Sequence, residues 1–237
     1  AVFAGGRASC IFTPASKRVP SLDEIGIAAR RLSADLDRRT GLVLLTGPLA
    51  SGKSTLLASL IEQNLEERDR FVALFARSQT FDYPEDRGFL MRNDLARFRL
   101  GAEGGLALAI EQGADLVAVD EIAEASAFRD ALAAASRTAL VVAVIESEGR
   151  TELSERMTRY LAGEDRQRAE RQLSRALVGI ADVDLSRPAE GPEPRLDWWP
   201  PSDAERDALS GGDFSSITRG ATSAAPPAAA PGFSRTP

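Results

Sequence analysis

The sequence contains no histidine, one cysteine and only two lysines among its 237 residues. Without histidine the chain has no Ser-His-Asp triad, no Cys-His nucleophile pair and no histidine-based zinc site. The single cysteine, Cys10, forms no disulfide within the chain, and such usage is typical of a reducing, cytoplasmic compartment. Any catalysis must therefore use carboxylates, arginine, lysine, hydroxyl groups or backbone amides.

The chain also lacks a positive charge balance and a long apolar run. Its formal net charge is −6, which argues against nucleic-acid binding because that requires clustered cations facing phosphates. The longest apolar run, residues 139–145, suits a buried strand and is too short to span a bilayer. The length is sufficient for one domain with a sizeable core.

Short apolar runs alternate with helical patterns through the middle of the chain, which predicts an α/β fold with a mainly parallel sheet. Ser21 and Glu24 have the spacing of a capping box, so a helix should run from there to about residue 36. The predicted strands are residues 42–46, 71–75, 116–119 and 139–145. The predicted helices are residues 53–67, 106–112, 123–136, 150–161 and 165–178.

The composition changes after residue 185. Several prolines follow, and from residue 210 the chain consists largely of Gly, Ser, Ala and Pro. Such a segment buries too little apolar surface to offset its ordering entropy, so residues 186–237 are predicted to form a largely disordered tail. Trp198 and Trp199 interrupt it. We expect them to attach the end of the chain to the domain, rather than to form a partner-binding peptide.

The segment GPLASGKST directly follows an apolar strand and directly precedes a helix, which is the context of a phosphate-binding P-loop. Its glycines let the backbone N–H groups surround an anion, and the helix N-terminus adds partial positive charge. Ser54 would supply a hydroxyl to Mg²⁺. The predicted nucleotide-binding residues are Gly47, Pro48, Leu49, Ala50, Ser51, Gly52, Lys53, Ser54 and Thr55.

Lys53 is one of only two lysines in a chain that uses arginine for nearly every cation. A flexible ammonium can lie between two phosphates, whereas the planar guanidinium of arginine is not equivalent. The lysine in this loop is therefore predicted to contact the β and γ phosphates of ATP.

A second acidic motif ends another apolar strand, at Asp120 and Glu121. In P-loop proteins the acid at such a strand end holds Mg²⁺ through water, and a following glutamate can act as the base for the attacking water. Strands also end in acidic residues that simply face solvent. With the phosphate loop upstream, we expect Ser54, Asp120 and Glu121 to form the metal site, and Asp120 and Glu121 to be the catalytic pair.

Four segments stand in a distinctive order and spacing along the chain. They are VPSLDEIG at 19–26, GLVLLTGP at 41–48 with the phosphate loop, DLVAVDEI at 115–122, and ALAAA at 131–135 before the strand at 140–145. Over roughly residues 1–185, these segments resemble those of the PilT-like type IV pilus twitching motility (retraction) ATPases, within the type II/IV secretion ATPases.

The resemblance implies a RecA-like P-loop NTPase domain at residues 21–185, preceded by the last strand and linker of a PAS-like domain at residues 1–20. Members of the family form hexameric rings, hydrolyse ATP with Mg²⁺ and drive pilin extraction at the inner membrane. The expected partners are therefore ATP, other copies of the chain or a catalytic paralogue, and a pilus or secretion platform at the inner membrane.

The chain departs from the family pattern at several functional positions. Residues 74–81, LFARSQTF, contain no carboxylate where the family has an acidic box. The family's arginines fall on Ala107, Glu111 and Ala123, and its His-box histidine falls on Glu146. In the phosphate loop, Leu49-Ala50 replaces a Thr-Gly pair.

Two explanations fit these departures. In the first, the chain binds ATP but has lost hydrolysis, and assembles with or regulates a catalytic partner. In the second, the family's glycine at position 120 has become Asp, so that Asp120 holds Mg²⁺ and Glu121 acts as the base. Nothing in the sequence replaces the missing arginines, so we predict ATP binding with slow or absent turnover.

Two other functions remain open. A P-loop small-molecule kinase would use an arginine-rich lid, and residues 150–175 hold seven arginines, although their spacing with glutamates favours solvent-exposed helix faces with i,i+4 pairs. A non-catalytic interaction subunit of a pilus or secretion machine would use the loop only to fix its shape. ATP binding distinguishes the interaction subunit from the other two.

Overall fold

A computed structural model describes residues 2–4, 7–9, 18–25, 27–77, 81–83, 88–94, 105–186 and 193–220. Cys10, most of the predicted linker before residue 20, and residues 221–237 of the predicted tail lie outside these ranges. The strands are β1 (Val2–Ala4), β2 (Arg7–Ser9), β3 (Gly41–Gly47), β4 (Phe71–Ala76), β5 (Phe89–Asp94), β6 (Leu116–Val119), β7 (Leu140–Glu146), β8 (Leu177–Ser186) and β9 (Glu193–Trp199). The helices are α1 (Leu22–Ile25), α2 (Ile27–Asp35), α3 (Lys53–Glu66), α4 (Gly105–Glu111), α5 (Ala125–Ala135), α6 (Arg150–Tyr160), α7 (Arg166–Ala176), α8 (Asp203–Ser210) and α9 (Ser215–Gly220).

Within the described residues the main sheet has seven strands in the order β5-β4-β6-β7-β3-β8-β9. Neighbouring strands are parallel from β5 to β8, and only β9 runs antiparallel to its neighbour. The predicted α/β fold with a mainly parallel sheet is therefore confirmed. The short pair β1 and β2 forms a separate antiparallel sheet, and its assignment to a PAS-like domain stays a prediction.

The core consists of two layers, one on each face of the sheet. Successive side chains of a strand point to opposite faces, and β3 shows this directly. Leu42 and Leu44 pack in the layer that includes buried residues of α5, α6 and α7, whereas Val43 and Leu45 pack in the layer beneath α2 and α3. Every residue of β3 is buried. The loop that follows it is therefore anchored to a fully buried strand inside the sheet.

The domain extends further along the chain than the sequence predicted, because residues 193–220 form β9, α8 and α9 instead of a disordered tail. β9 pairs with β8 over seven residue pairs, and its Pro194 is accommodated because β9 lies at the sheet edge, where a missing N–H is tolerated. Trp199 is buried, and the Trp198 ring covers Gly179, where a Cβ would lie 2.3 Å from the indole. The two tryptophans attach this segment to the domain, as expected.

No helix in the described ranges is both long enough and apolar enough to cross a membrane.

Candidate functional site

The phosphate loop connects the carboxyl end of β3 to the amino end of α3, in the strand-loop-helix arrangement that the sequence predicted. Gly47 has φ 141°, and a Cβ there would lie 2.0 Å from the carbonyl oxygen of Val183 on β8. Gly52, the N-cap of α3, has φ 100° in the left-handed region. Both positions therefore require glycine, one for close approach of β8 and one for backbone conformation.

Ala50 is a non-glycine residue with a left-handed backbone, at φ 60°. This conformation costs an L-residue with a side chain roughly 1–2 kcal/mol, because Cβ approaches the following carbonyl oxygen. Its neighbour Leu49 is 77% exposed, a high value for a large apolar side chain. The replacement of Thr-Gly by Leu49-Ala50 thus leaves a strained turn and an exposed apolar side chain at the mouth of the loop.

The Lys53 side chain lies inside the curve of the loop and is only 8% exposed. Its Nζ donates hydrogen bonds to the carbonyl oxygens of Gly47 at 2.9 Å and Pro48 at 2.5 Å, and to Ser51 Oγ at 3.4 Å. Burial lowers the pKa of Lys53, and this effect is opposed by the negative charges of Glu146, Asp120 and Glu148. The ammonium is therefore held where a phosphate in the loop would meet it.

Asp120 follows β6 and brings a carboxylate to the same edge of the sheet. Its N–H donates to the Phe75 carbonyl oxygen at 2.9 Å, and its Oδ1 is buried without a hydrogen-bond partner in the described residues. A buried, unsatisfied carboxylate oxygen costs free energy unless a cation or water satisfies it. Mg²⁺ or one of its water ligands would satisfy this atom.

Other metal sites are not indicated: in the described part of the chain, no three His, Cys, Asp or Glu residues cluster to hold a metal ion. That observation is compatible with Mg²⁺, which usually binds through one or two carboxylates, substrate phosphates and water. The second predicted metal ligand, Ser54, lies exposed in the first turn of α3, and Thr55 beside it is half-buried.

Glu121, predicted as the catalytic base, forms an ion pair that the sequence did not reveal. Its Oε2 lies 3.1 Å from Nε of Arg77, with the arginine side chain 66% exposed and the glutamate 40% exposed. Arg77 follows β4, in the segment that stands in place of the family's acidic box. A cation therefore faces Glu121 from the segment where the resemblance implies an acid.

Glu146, at the position of the His box, lies level with the start of the phosphate loop. It is the register partner of Gly47, and the next residue, Ser147, donates its N–H to the Gly47 carbonyl oxygen at 3.2 Å. Ser147 Oγ also lies 2.6 Å from Thr46 Oγ1 in the core. The end of β7 is thus bonded directly to the loop, and it places a carboxylate near Lys53.

Arg150 is a buried cation beside the loop that sequence reasoning assigned to an exposed helix face. Its Nη2 donates to Asp197 Oδ2 at 2.6 Å, its Nε lies 3.7 Å from Asp182 Oδ2, and its guanidinium lies 5.9 Å from the Trp199 ring centroid. Asp182 is in register with Thr46 of β3. Arg150 therefore joins α6, β8 and β9 beside the phosphate loop, and the distant partners left no local sequence signal.

The fold and the site together define a P-loop protein with a RecA-like α/β core. The lysine-containing loop follows β3, a fully buried interior strand, and the carboxylates of Asp120 and Glu121 follow β6, two positions away in the same sheet.

The same fold occurs in solved structures of pilus and secretion ATPases. The Legionella pneumophila ATPase DotB superposes with a TM-score of 0.75 at 22% identity, covering 88% of this chain and 57% of DotB. The pilus retraction motor PilT with bound ADP superposes with a TM-score of 0.77 at 19% identity, covering 86% of this chain and 60% of PilT. The predicted RecA-like core is therefore confirmed.

In sequence, the chain is 25% identical over 186 residues to the type IV pilus retraction ATPase PilT of Pseudomonas aeruginosa, covering 78% of this chain and 53% of that protein. It is also 25% identical over 166 residues to the uncharacterized Escherichia coli protein YggR, covering 70% and 51%. No protein-family model matches. The chain spans about half the length of these relatives. Its resemblance to the PilT-like ATPases is confirmed.

Proposed function

We propose that the chain binds ATP with Mg²⁺ at the phosphate loop and hydrolyses it slowly or not at all, as a divergent ATPase-like subunit of a pilus or secretion machine. The observation that carries ATP binding is the buried Lys53 inside the phosphate loop. Slow turnover is supported in addition by the ion pair between Arg77 and Glu121. In this ion pair, Arg77 engages the carboxylate of Glu121, the residue predicted to act as the base.

Binding is supported by the loop itself. The loop's backbone N–H groups and the N-terminus of α3 would hold the phosphates, and the Lys53 ammonium would lie against the β and γ phosphates. Ser54 and Asp120 would hold Mg²⁺, with Glu121 beside it. The metal, when bound, neutralises charge that develops on the phosphates.

Slow turnover is supported by the surroundings of Glu121. Arg77 holds one of its oxygens, although the pair is exposed and so contributes little free energy. The positions of the family's arginines are held by Ala107, Glu111 and Ala123. A missing arginine finger can reduce the rate by about 10³ to 10⁵, which is a larger effect than an exposed ion pair can produce.

The test compares the unmodified chain with Lys53→Ala, Glu121→Gln and, as a control away from the loop, Arg159→Gln. We expect ATP with Mg²⁺ to raise Tm for the unmodified chain and the control but not for Lys53→Ala, with turnover near background for all four. Fast turnover that Lys53→Ala abolishes would refute the loss of hydrolysis. An unchanged Tm for every variant would refute ATP binding and favour a purely structural interaction subunit.

Assembly and location are part of the same proposal. By analogy with the family, the chain would form a homo-oligomer, as a hexameric ring, or join a catalytic paralogue, in the cytoplasm and against an inner-membrane pilus or secretion platform. Sizing the chain by light scattering with and without ATP tests the ring. A monomer under both conditions would leave the mixed assembly as the form to examine, by co-purification with the paralogue.

The arginines that a kinase lid would need are used differently. Arg150 is buried against Asp182 and Asp197, and two others form i,i+4 pairs, Arg156 with Glu152 and Arg166 with Glu170. Arg168, Arg171 and Arg175 line a pocket next to Gly41, at the opposite end of β3 from the phosphate loop. This arrangement favours the ATPase-like function over the kinase.

A further inference from the structure

A concave pocket of about 520 Å³ lies near the amino end of β3. We call it the cationic pocket, because arginines form most of its charged wall. Thr40, Ser136 and Gln172 add hydroxyl and amide groups to the lining. The five arginines that line it are Arg38, Arg137, Arg168, Arg171 and Arg175.

The cationic pocket is separate from the phosphate loop. Its floor includes Gly41 and Val178, close to where β3 and β8 begin, and its walls are the carboxyl end of α5 and one face of α7. The phosphate loop begins at Gly47, at the other end of β3. Six steps of about 3.3 Å along the strand place the two sites roughly 20 Å apart.

The arginines of the cationic pocket lack internal counter-ions. Within the described ranges, none of the five has an ion pair or a side-chain hydrogen bond, and no Asp or Glu lines the pocket. All five are exposed. By contrast, Arg70, Arg150 and Arg166 each have carboxylate partners. The chain has more carboxylates than cations, with a net charge of −6. It therefore has enough carboxylates to pair with these five arginines, yet none of those in the described residues lines the pocket.

The spacing of the three arginines on α7 is unfavourable for the stability of that helix. Arg168, Arg171 and Arg175 are three and four residues apart, so they share one helix face, where like charges destabilise a helix. A helix C-terminus favours nearby cations, which accounts for Arg137 after α5 and Arg175 in the last turn of α7. It does not account for Arg168 and Arg171, which precede the last turn of α7.

We propose that the cationic pocket binds a small, multiply charged phosphate anion. Arginine forks match phosphate oxygens in bidentate geometry, and an oligophosphate carries several negative charges that more than one of the lining arginines can contact. No aromatic ring lines the pocket in the described residues, so the phosphates rather than a stacked base would be recognised. The exposed large apolar side chains Leu49, Phe89 and Leu108 are not part of its lining, which disfavours insertion into a lipid surface.

The test titrates inorganic tripolyphosphate into the whole chain carrying Lys53→Ala, by isothermal titration calorimetry at two salt concentrations. The pocket variant adds Arg168→Gln and Arg171→Gln. The matched control adds Arg31→Gln and Arg159→Gln, which remove the same charge from exposed arginines outside the pocket. We expect one saturable site that is at least tenfold weaker in the pocket variant and changed less than twofold in the control. Because Lys53 is absent, the result does not depend on ATP binding at the loop.

If Lys53→Ala fails to fold, as judged by circular dichroism, the same substitutions are made with Lys53 intact, and the pocket variant should lose one tripolyphosphate site while the control loses none. Sedimentation with phosphatidylglycerol vesicles, compared with phosphatidylcholine vesicles, identifies a lipid headgroup as the source of the phosphate if the pocket variant abolishes it. Absence of saturable binding, equal weakening in both double variants, or binding of poly-glutamate without tripolyphosphate would overturn the proposal.

Discussion

Two arginine-carboxylate contacts lie on either side of the phosphate loop, and they differ in burial. Arg150 is 5% exposed and is held between Asp182 and Asp197, with Trp199 nearby. Arg77 and Glu121 form a contact of similar length in solvent. Breaking a buried pair leaves an uncompensated charge, whereas an exposed pair contributes little. The first contact therefore supports the structure beside the loop, and the second can open at little cost.

The largest effect is expected from Arg150→Gln. This change leaves two partly buried aspartates without their cation, and a buried pair broken in this way costs about 3–5 kcal/mol. Because the two aspartates are about a quarter to a third exposed, we expect roughly 2–3 kcal/mol, measured by urea unfolding. Arg156→Gln breaks an i,i+4 helix pair with Glu152 in which the arginine side chain is 29% exposed, against 4% for Arg150, and should cost less than about 0.5 kcal/mol. Equal losses in the two variants would show that burial does not distinguish them.

Neutralising the stranded carboxylates should recover part of that loss. We expect Arg150→Gln/Asp182→Asn/Asp197→Asn to be about 1 kcal/mol more stable than Arg150→Gln alone, because amides are less costly to bury than unpaired charges. Further loss in the triple variant would indicate that Arg150 acts through packing against Trp199 and not through charge.

The same cluster predicts the pH dependence of the Arg150→Gln variant. Burial raises the pKa of Asp182 above its ordinary value of 3.8, and Arg150 opposes this rise. Without Arg150 the folded-state pKa should rise further, so the folded protein binds the proton more tightly than the unfolded chain. The stabilising effect of that proton is lost as pH rises through the folded pKa. The destabilisation relative to the unmodified chain should therefore be smaller at pH 4 than at pH 8.

A smaller, kinetic effect is expected at the exposed contact. Arg77→Gln frees Glu121, so ATP turnover should rise several-fold, up to about tenfold, if Glu121 acts as the base, with stability changed by less than about 0.5 kcal/mol. Adding Glu121→Gln should return the rate to background, and Arg159→Gln should leave it unchanged. An unaltered rate in Arg77→Gln would show that the missing arginines alone limit hydrolysis.

The smallest effect is expected at Ala50, between the two contacts. Ala50→Gly relieves the left-handed strain of roughly 1–2 kcal/mol but gives the unfolded chain more freedom, worth about 0.4–1 kcal/mol. We expect a net gain of about 0.5 kcal/mol in urea unfolding. The same change on a helix, Ala133→Gly in α5, should instead cost about 1 kcal/mol. A loss at Ala50 would mean that the methyl group packs usefully in the loop.

The parts predicted correctly from sequence depend on short-range patterns. The central strands are continuous apolar runs, and the helix start at Ser21 has its capping box, with the Ser21 N–H donating to Glu24 Oε2 at 2.8 Å. The strands β5 and β9 were missed because they lie at the sheet edges, where burial is incomplete and the apolar signal is weak. β8 was missed as well, because its first two residues fell within the predicted helix 165–178 and the rest were assigned no element.

At the site, sequence predicted the loop and its lysine but not the pairing of its charges. Nothing local indicates that Arg150 meets Asp197, 47 residues away, or that Arg77 faces Glu121. Such contacts are set by strand order, which depends on the assembly of the whole sheet. The consequence is largest for Glu121, because the ion pair with Arg77 engages the carboxylate that was predicted to act as the base.

The contact between Gly47 and Val183 links the phosphate loop to the last two strands of the sheet. The Val183 carbonyl oxygen leaves no room for a Cβ at Gly47, so the loop takes its shape partly from β8, which β9 supports along its other side. Shortening the protein after residue 185 would remove Asp197 and both tryptophans. Although every loop residue would remain, β8 would become an unprotected edge, prone to pair with other chains. The smallest unit that preserves this loop therefore ends beyond β9.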